Sequence, residues 1–420
     1  MERAKDLLAG LPAPRSLDRT ARAMKTFTKW HGLRGTRVAL VTSGGTRAPL
    51  EACSVRFLDN FSSGFRGAAS TEKFLSSGYA VIFLHRLGSL VPFSRHFAGL
   101  DLLDYMEFDE EGEKQKGNVR KGQSGGVGSL GLGSEEDGMD YIFTEELREW
   151  ADAGEAENEM TICQECEVTE IGPSPRIGKT IRAERLPRLE WVLRKRREAH
   201  NLRTLLCVPF CTVYEYLHLL RAASLALEPL GPSAILFLAA AVSDFHQPPD
   251  TMPQHKIHSL GKPLELTLSP IPKLLSPLAS FWVPAAFIVA FKLESEPEQL
   301  ESRATAGLAR LAPSLQRAVA VVANLLTERR KRLLVLVSRG GDQKVEGQLV
   351  ECSSEGKGSE AQRVVQETAG GRQKSTREGE AKVGPIERVW LGLSESEKTE
   401  SLEIEDKLVE FLINIHNTMQ

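Results

Sequence analysis

Short, nearly unbroken apolar runs recur along this chain: Val38-Ala39-Leu40-Val41, Tyr79–His85 (YAVIFLH), Ala234–Ala241 (AILFLAAA), Phe287–Phe291 (FIVAF), Ala318–Ala323 (AVAVVA) and Leu333–Val337 (LLVLV). Runs of this length without polar alternation predict strands covered on both faces, the first spanning Arg37–Thr42. Between them apolar residues return at helical spacing. The expected helices are Gly67–Ser77, closed by Gly78; Val213–Ala226, with Thr212 as N-cap; Glu298–Leu311; and Ile404–Ile415. In the last, Ile404, Leu408, Phe411, Leu412 and Ile415 form one stripe. Residues 1–27 read as an amphipathic helix. Strand and helix alternate, which predicts an α/β fold with a mostly parallel sheet flanked by helices.

Two stretches break the rhythm. Residues 109–187, with GQSGGVGSLGLGSEEDG at their heart, and residues 340–384, with SSEGKGSE and GGRQKSTREGE, are rich in Gly, Glu, Ser and Lys. Their apolar content is too low to offset the entropy of ordering. We expect them to be long, low-complexity, disordered insertions in a single domain spanning 1–420. A weak helix at Ile142–Ala151 and a basic helix at Leu189–Ala199 are expected at the edges of the first.

Composition narrows the function classes. With 41% apolar and 26% charged residues, 420 residues can build one large core or two smaller ones. A net charge of −3 does not advertise nucleic acid as a partner. No apolar run is long enough to cross a bilayer. Glu2, Asp6 and Asp18 and the lack of an apolar segment argue against a secretory or organelle leader. Six sparse cysteines fit a reducing, cytoplasmic setting.

The candidate chemistry lies in two loops. Thr42-Ser43-Gly44-Gly45-Thr46 follows the first strand. Arg56–Gly67 (RFLDNFSSGFRG) then runs into a helix. Glycine lets an anion approach backbone N–H groups, and a helix start adds partial positive charge. Together the loops offer amides, hydroxyls and the Asn60 amide to a phosphate; the plainer reading is a pair of tight turns. There is no GxxxxGK[ST] and no GxGxxG after the first strand. The second strand ends His85-Arg86 where an NAD site wants an acid. An arginine there suits NADP, so a reductase stays open, although no tyrosine has a lysine four residues on.

In these blocks the chain resembles eukaryotic phosphopantothenoylcysteine synthetase, the phosphopantothenate–cysteine ligase family. The matching stretches are VTSGGTRAPLE (Val41–Glu51), VRFLDNFSSGFRGAAS (Val55–Ser70), FLAAAVSDF (Phe237–Phe245), MPQHKI (Met252–Ile257), PKLLSPL (Pro272–Leu278), AFIVAFKLE (Ala286–Glu294) and VVAN (Val321–Asn324). They stand in the family's order; the two insertions depart from it. The resemblance implies a Rossmann-like homodimer. It also implies ATP-driven condensation of 4′-phosphopantothenate with L-cysteine through an acyl-adenylate, releasing pyrophosphate and AMP, in coenzyme A synthesis. Bacterial relatives prefer CTP. Mg²⁺ is expected on the triphosphate, with no protein ligand named.

The resemblance further implies roles for single residues. Gly44, Ser62, Gly64, Gly67, Phe291 and Asn324 match nucleotide contacts; Phe291 also reads as a core aromatic and Asn324 as a turn residue. Asn60 matches the group on the reacting carboxylate, and also reads as an Asx-turn. Ala240, Ala241 and Asp244 match a substrate-contacting stretch from a neighbouring subunit; Asp244 also reads as a cap. Lys256 matches the active-site lysine, where a cation would steady charge between carboxylate and α-phosphate; alone it reads as a solvated surface charge. Cys163-x-x-Cys166 and Cys207-x-x-x-Cys211 have the look of two halves of a zinc site, against plain structural thiols. Arg194-Lys195-Arg196-Arg197 reads as a solvated helix face. A non-catalytic nucleotide sensor and a scaffold built on the insertions remain the rival classes.

Overall fold

A computed structural model describes residues 6–53, 55–100, 106–108, 144–153, 179–181, 186, 188–259, 261, 263–311, 318–338, 363–364, 386–394, 396–397 and 402–419. The strands of its main sheet and of one hairpin are β1 (Val38–Ser43), β2 (Thr46–Pro49), β3 (Phe57–Asn60), β4 (Ala80–Arg86), β5 (Leu205–Phe210), β6 (Ala234–Leu238), β7 (Phe287–Glu294), β8 (Val319–Leu325), β9 (Arg332–Ser338), β10 (Arg363–Val364) and β11 (Ile386–Gly392). The helices are α1 (Leu17–Gly32), α2 (Phe65–Ser76), α3 (Glu145–Ala153), α4 (Leu189–Asn201), α5 (Val213–Leu227), α6 (Pro297–Leu311) and α7 (Ile404–Asn417).

Nine strands pair in the order β10-β11-β9-β8-β7-β6-β1-β4-β5. From β8 to β5 every neighbour is parallel; β9, β11 and β10 extend the sheet antiparallel. This is the expected α/β architecture. The unbroken apolar runs are explained by burial on both faces. Val38 and Leu40 join a core with Met24 and Phe27 of α1 and Leu217 and Leu220 of α5. Ala39 and Val41 point the other way, to Phe74 of α2 and Leu408 and Leu412 of α7.

Local rules set the helices. Thr212 caps α5 in a reciprocal box: Glu215 N–H donates to Thr212 Oγ1 at 3.2 Å, and Thr212 N–H to Glu215 Oε2 at 3.3 Å. In α1, Thr20, Ala23, Met24, Phe27, Thr28 and His31 form the buried stripe. The weak helix expected at 142–151 is α3, whose Trp150 packs edge-on to Phe27 with ring centroids 5.2 Å apart. The Arg194–Arg197 run lies mostly exposed on α4.

Two expectations change. Arg56–Gly67 is not all loop: Phe57–Asn60 pairs antiparallel with Thr46–Pro49 as the β2–β3 hairpin. Strands β5 and β11 were not foreseen from the apolar runs. Pro209 and Cys207 interrupt the first, which sits at a sheet edge where proline is tolerated. The second, IERVWLG, has two charged residues in succession and is mostly half-buried. Most of 109–187 and 340–384, with Cys163 and Cys166, lies outside the described residues. Among the described residues no helix is long and apolar enough to cross a membrane.

Candidate active site

The strand order fixes where ligands fit. From β1 the chain moves outward to β4 and β5, then returns to the other side of β1 for β6, β7 and β8. Strand order therefore reverses between β1 and β6, and open α/β sheets bind ligands at the carboxyl ends of such strands. The Gly44-Gly45 loop leaves β1 there, and the segment 239–244 leaves β6 beside it.

The two segments are stitched together. Ala241 N–H donates to Gly44 O at 2.9 Å. Ala240 N–H donates to Thr42 Oγ1 at 3.1 Å, and Ser243 N–H to Thr46 Oγ1 at 2.8 Å. Asn60, at the base of the hairpin, donates from Nδ2 to Val242 O at 2.8 Å. Its second amide hydrogen remains for a ligand. Gly44, Asn60, Ala240 and Ala241 thus lie together at this end of the sheet. Asp244 ends this stretch exposed and paired with Lys273, a cation that the sequence reading did not single out.

The glycines are required by close approach. Gly44 and Gly64 have φ of +83° and +81°. A Cβ on Gly45 would lie 2.0 Å from Asn60 O, and one on Gly67 would lie 2.4 Å from Ser43 Cβ and Oγ. The first turn of α2 therefore seats directly on the end of β1. Buried Ser43 secures it by donating from Oγ to Gly64 O at 3.0 Å. This start of α2 has no side-chain cap and no acid in its first turn. Its leading N–H groups, which lack acceptors within the helix, are left for an anion. Ser62 stands beside them, half-buried, its Oγ only 3.4 Å from Gly64 N.

Phe291 and Asn324 lie near the same ends of β7 and β8. The half-buried Phe291 ring packs edge-on to Phe237 at 4.8 Å, so its role as a core aromatic is also real. The Arg66 guanidinium sits 5.6 Å from the Phe291 ring, 3.2 Å from Glu405 and 2.7 Å from Arg329 O, tying α2 to this end of the sheet. Burial lowers the Arg66 pKa and raises that of Glu405. Asn324 is buried at 5% exposure.

Arg86, the feature that kept NADP open, is committed elsewhere. Its guanidinium donates to both carboxylate oxygens of Asp59, at 2.6 and 2.9 Å, and is only 9% exposed. A 2′-phosphate needs a freer cation. Beside it His85 stacks on Phe83, and burial lowers its pKa to about 4.

Lys256 is the site residue not gathered here. It is exposed, on an irregular segment held against the turn between β2 and β3, whereas Asn60 lies at the other end of β3. Metal chemistry has no assembled ligand set: among the described residues no three His, Cys, Asp or Glu side chains cluster. Burial raises the thiol pKa of Cys207 and brings that of Cys211 to about 11.

Comparisons with known proteins agree on one family. The profile of the DNA/pantothenate metabolism flavoprotein C-terminal domain matches residues 220–367. The chain is 39% identical to the phosphopantothenate–cysteine ligase of Mus musculus over 337 residues, covering 80% of this chain and 87% of that one. It is 38% identical to the Homo sapiens ligase of the same name over 340 residues, covering 81% and 88%. A solved mutant of Cab2 superimposes with a TM-score of 0.62 at 26% identity, covering 99% of this chain and 98% of that one. The structure of that mutant in complex with phosphopantothenate-cysteine matches equally well.

Proposed function

Because the chain belongs to the phosphopantothenate–cysteine ligase family, and so is a ligase that forms an amide bond, we propose that it joins 4′-phosphopantothenate to L-cysteine through an acyl-adenylate made from ATP. The observation that carries this is the crevice between β1 and β6. There the Gly44 loop, the uncapped start of α2 and the spare hydrogen of Asn60 converge on one end of the sheet.

The chemistry divides into two balanced steps. A carboxylate oxygen of 4′-phosphopantothenate attacks the α-phosphorus of ATP, and pyrophosphate leaves with the electrons of the broken P–O bond. The amine nitrogen of L-cysteine then attacks the acyl carbon. AMP departs carrying one former carboxylate oxygen, and the nitrogen loses a proton as the amide forms. Both steps gather negative charge on oxygen, which preorganised donors stabilise.

In this reading the amides around Gly44, Ser62, Gly64 and Gly67 hold the phosphates, with Phe291 and Asn324 flanking the nucleotide. Asn60 donates to the reacting carboxyl oxygen without adding charge. Ala240 and Ala241 let the pantothenate arm lie against the backbone, and Asp244 accepts from its hydroxyl or amides. Lys256 supplies a cation to the transferring group. Mg²⁺ arrives on the triphosphate as part of the substrate. The whole chain acts as a single domain, working as a homodimer in the cytoplasm.

The test is product analysis. With Mg²⁺, ATP, 4′-phosphopantothenate and L-cysteine, equal amounts of pyrophosphate, AMP and 4′-phosphopantothenoyl-L-cysteine are expected by mass spectrometry. Nucleotide binding without these products would reject the ligase reading.

A further inference from the structure

Lys256 stands on a segment without regular secondary structure, yet its neighbours are tied down on both sides. On one side, Ala52 N–H donates to Pro253 O at 2.8 Å and Cys53 Sγ lies 2.8 Å from Gln254 O. On the other side the tie is a carboxylate. Glu51 is fully buried at the tip of the β2–β3 hairpin. Its Oε1 accepts from Ile257 N–H at 3.0 Å and from Arg56 Nη1 at 2.6 Å; its Oε2 accepts from Arg56 N–H at 2.8 Å. Arg56 Nη1 also donates to Ile257 O at 2.9 Å. The pair therefore grips both backbone groups of the residue that follows Lys256.

A buried carboxylate whose bonds all go to one turn and one passing segment does more than close the turn. Leu50 N–H already closes it by donating to Arg56 O at 3.0 Å. The bonds to Ile257 add nothing to hairpin pairing, and their effect is to fix where the Lys256 backbone lies. Charge-assisted bonds are about twice as strong as neutral ones, so this is the firmest of the ties.

We propose that Glu51, with Arg56 as its counter-ion, is the positioning residue for Lys256: it holds the lysine segment on the hairpin so that the cation is presented in one place. The same hairpin carries Asn60 at its base, so one rigid arm joins the two groups assigned to acyl transfer. The proposal rests on the ligase reading for its consequence in catalysis, but the clamp itself is a statement about the backbone.

The experiment separates the two. Trypsin cuts after Lys256, and cleavage requires the backbone there to leave its ties. In the full chain, Glu51→Gln keeps the size of the side chain and removes its charge. Mass spectrometry of the fragment ending at Lys256 should show initial cleavage about tenfold faster than in wild type, with the midpoint of global unfolding little changed. Unchanged cleavage overturns the clamp. For catalysis, Glu51→Gln should lower kcat with KM for ATP held. The double variant Glu51→Gln/Lys256→Ala should be no slower than Lys256→Ala alone, since a lysine already absent cannot be misplaced. Multiplying effects would instead mean that Glu51 acts on activity through general stability. If Lys256→Ala alone is fully active, the ligase role of the lysine fails while the cleavage result still decides the clamp.

Discussion

The two halves of the site are built in opposite ways. The cradle at the ends of β1 and β6 is packed until no atom can be added: a Cβ at Gly45 or Gly67 would overlap its neighbours, and Ser43 is buried beneath. The arm that carries Lys256 is an exposed segment without regular secondary structure, fixed by a handful of bonds to a hairpin tip. Anion binding needs fixed amide directions, which dense packing supplies. A cation that must approach a long, flexible substrate can ride on a tethered segment whose firmest tether is charged. Binding and chemistry should therefore fail separately.

Acid should separate them most. His85, near the carboxyl end of β4, and His31 and His416, at the amino ends of the strands, are buried in the body of the fold and kept neutral, with pKa lowered by burial from 6.5 to about 4. The unfolded chain takes up these protons below about pH 6.5 while the folded chain does not. Stability is therefore full above 6.5 and falls as pH drops toward 4, by on the order of 3 kcal/mol per histidine. Glu51 behaves differently. The bond from Ile257 N–H and the bonds from Arg56 hold its carboxyl below the usual range, so its clamp survives until the pH passes below ordinary carboxylate values. Denaturant midpoints from pH 7 to 4 should fall, while the Ile257 amide, followed by hydrogen exchange corrected for its intrinsic pH dependence, stays protected for as long as the protein is folded. A flat midpoint would break the comparison.

Lys256→Ala is the next largest effect. Loss of one electrostatic stabiliser should lower kcat by about 100- to 1000-fold. Nucleotide affinity by calorimetry and the unfolding midpoint should both be unchanged. Gly67→Ala should do the reverse to the packed half. Its Cβ would meet Ser43, costing about 1–3 kcal/mol of stability and weakening nucleotide binding. Thr212→Ala, which removes the cap of α5 but keeps the backbone bridge from Thr212 to Arg47 of β2, should cost about 1 kcal/mol and leave kcat alone. A loss of turnover in that variant would mean that the site is less insulated from the fold than described.

What the sequence made legible follows from physics acting over short range. Apolar runs such as Ile288-Val289-Ala290 announced central strands because both faces are covered, and Thr212 announced its helix because capping is local. The glycines of the cradle were visible as glycines, but the reason for Gly67 was not: it is the approach of Ser43, 24 residues earlier and in contact only once the sheet forms. Partnerships across long separations were equally hidden. Arg86 reads as a free cation until Asp59 is found bidentate on it, and Glu51 reads as a turn residue until Ile257 arrives from 206 positions away. The hairpin strand Phe57–Asn60 reads as loop because both hairpin strands are only four residues long and this one is mostly exposed, leaving little apolar alternation to detect.

The most direct test of the central claim follows one oxygen. With both carboxylate oxygens of 4′-phosphopantothenate replaced by oxygen-18, and ATP, Mg²⁺ and L-cysteine supplied, the account expects one heavy oxygen in the phosphate of AMP and the other in the new amide. Heavy oxygen in a released inorganic phosphate, or AMP formed without label, would contradict activation of the carboxylate as an acyl-adenylate.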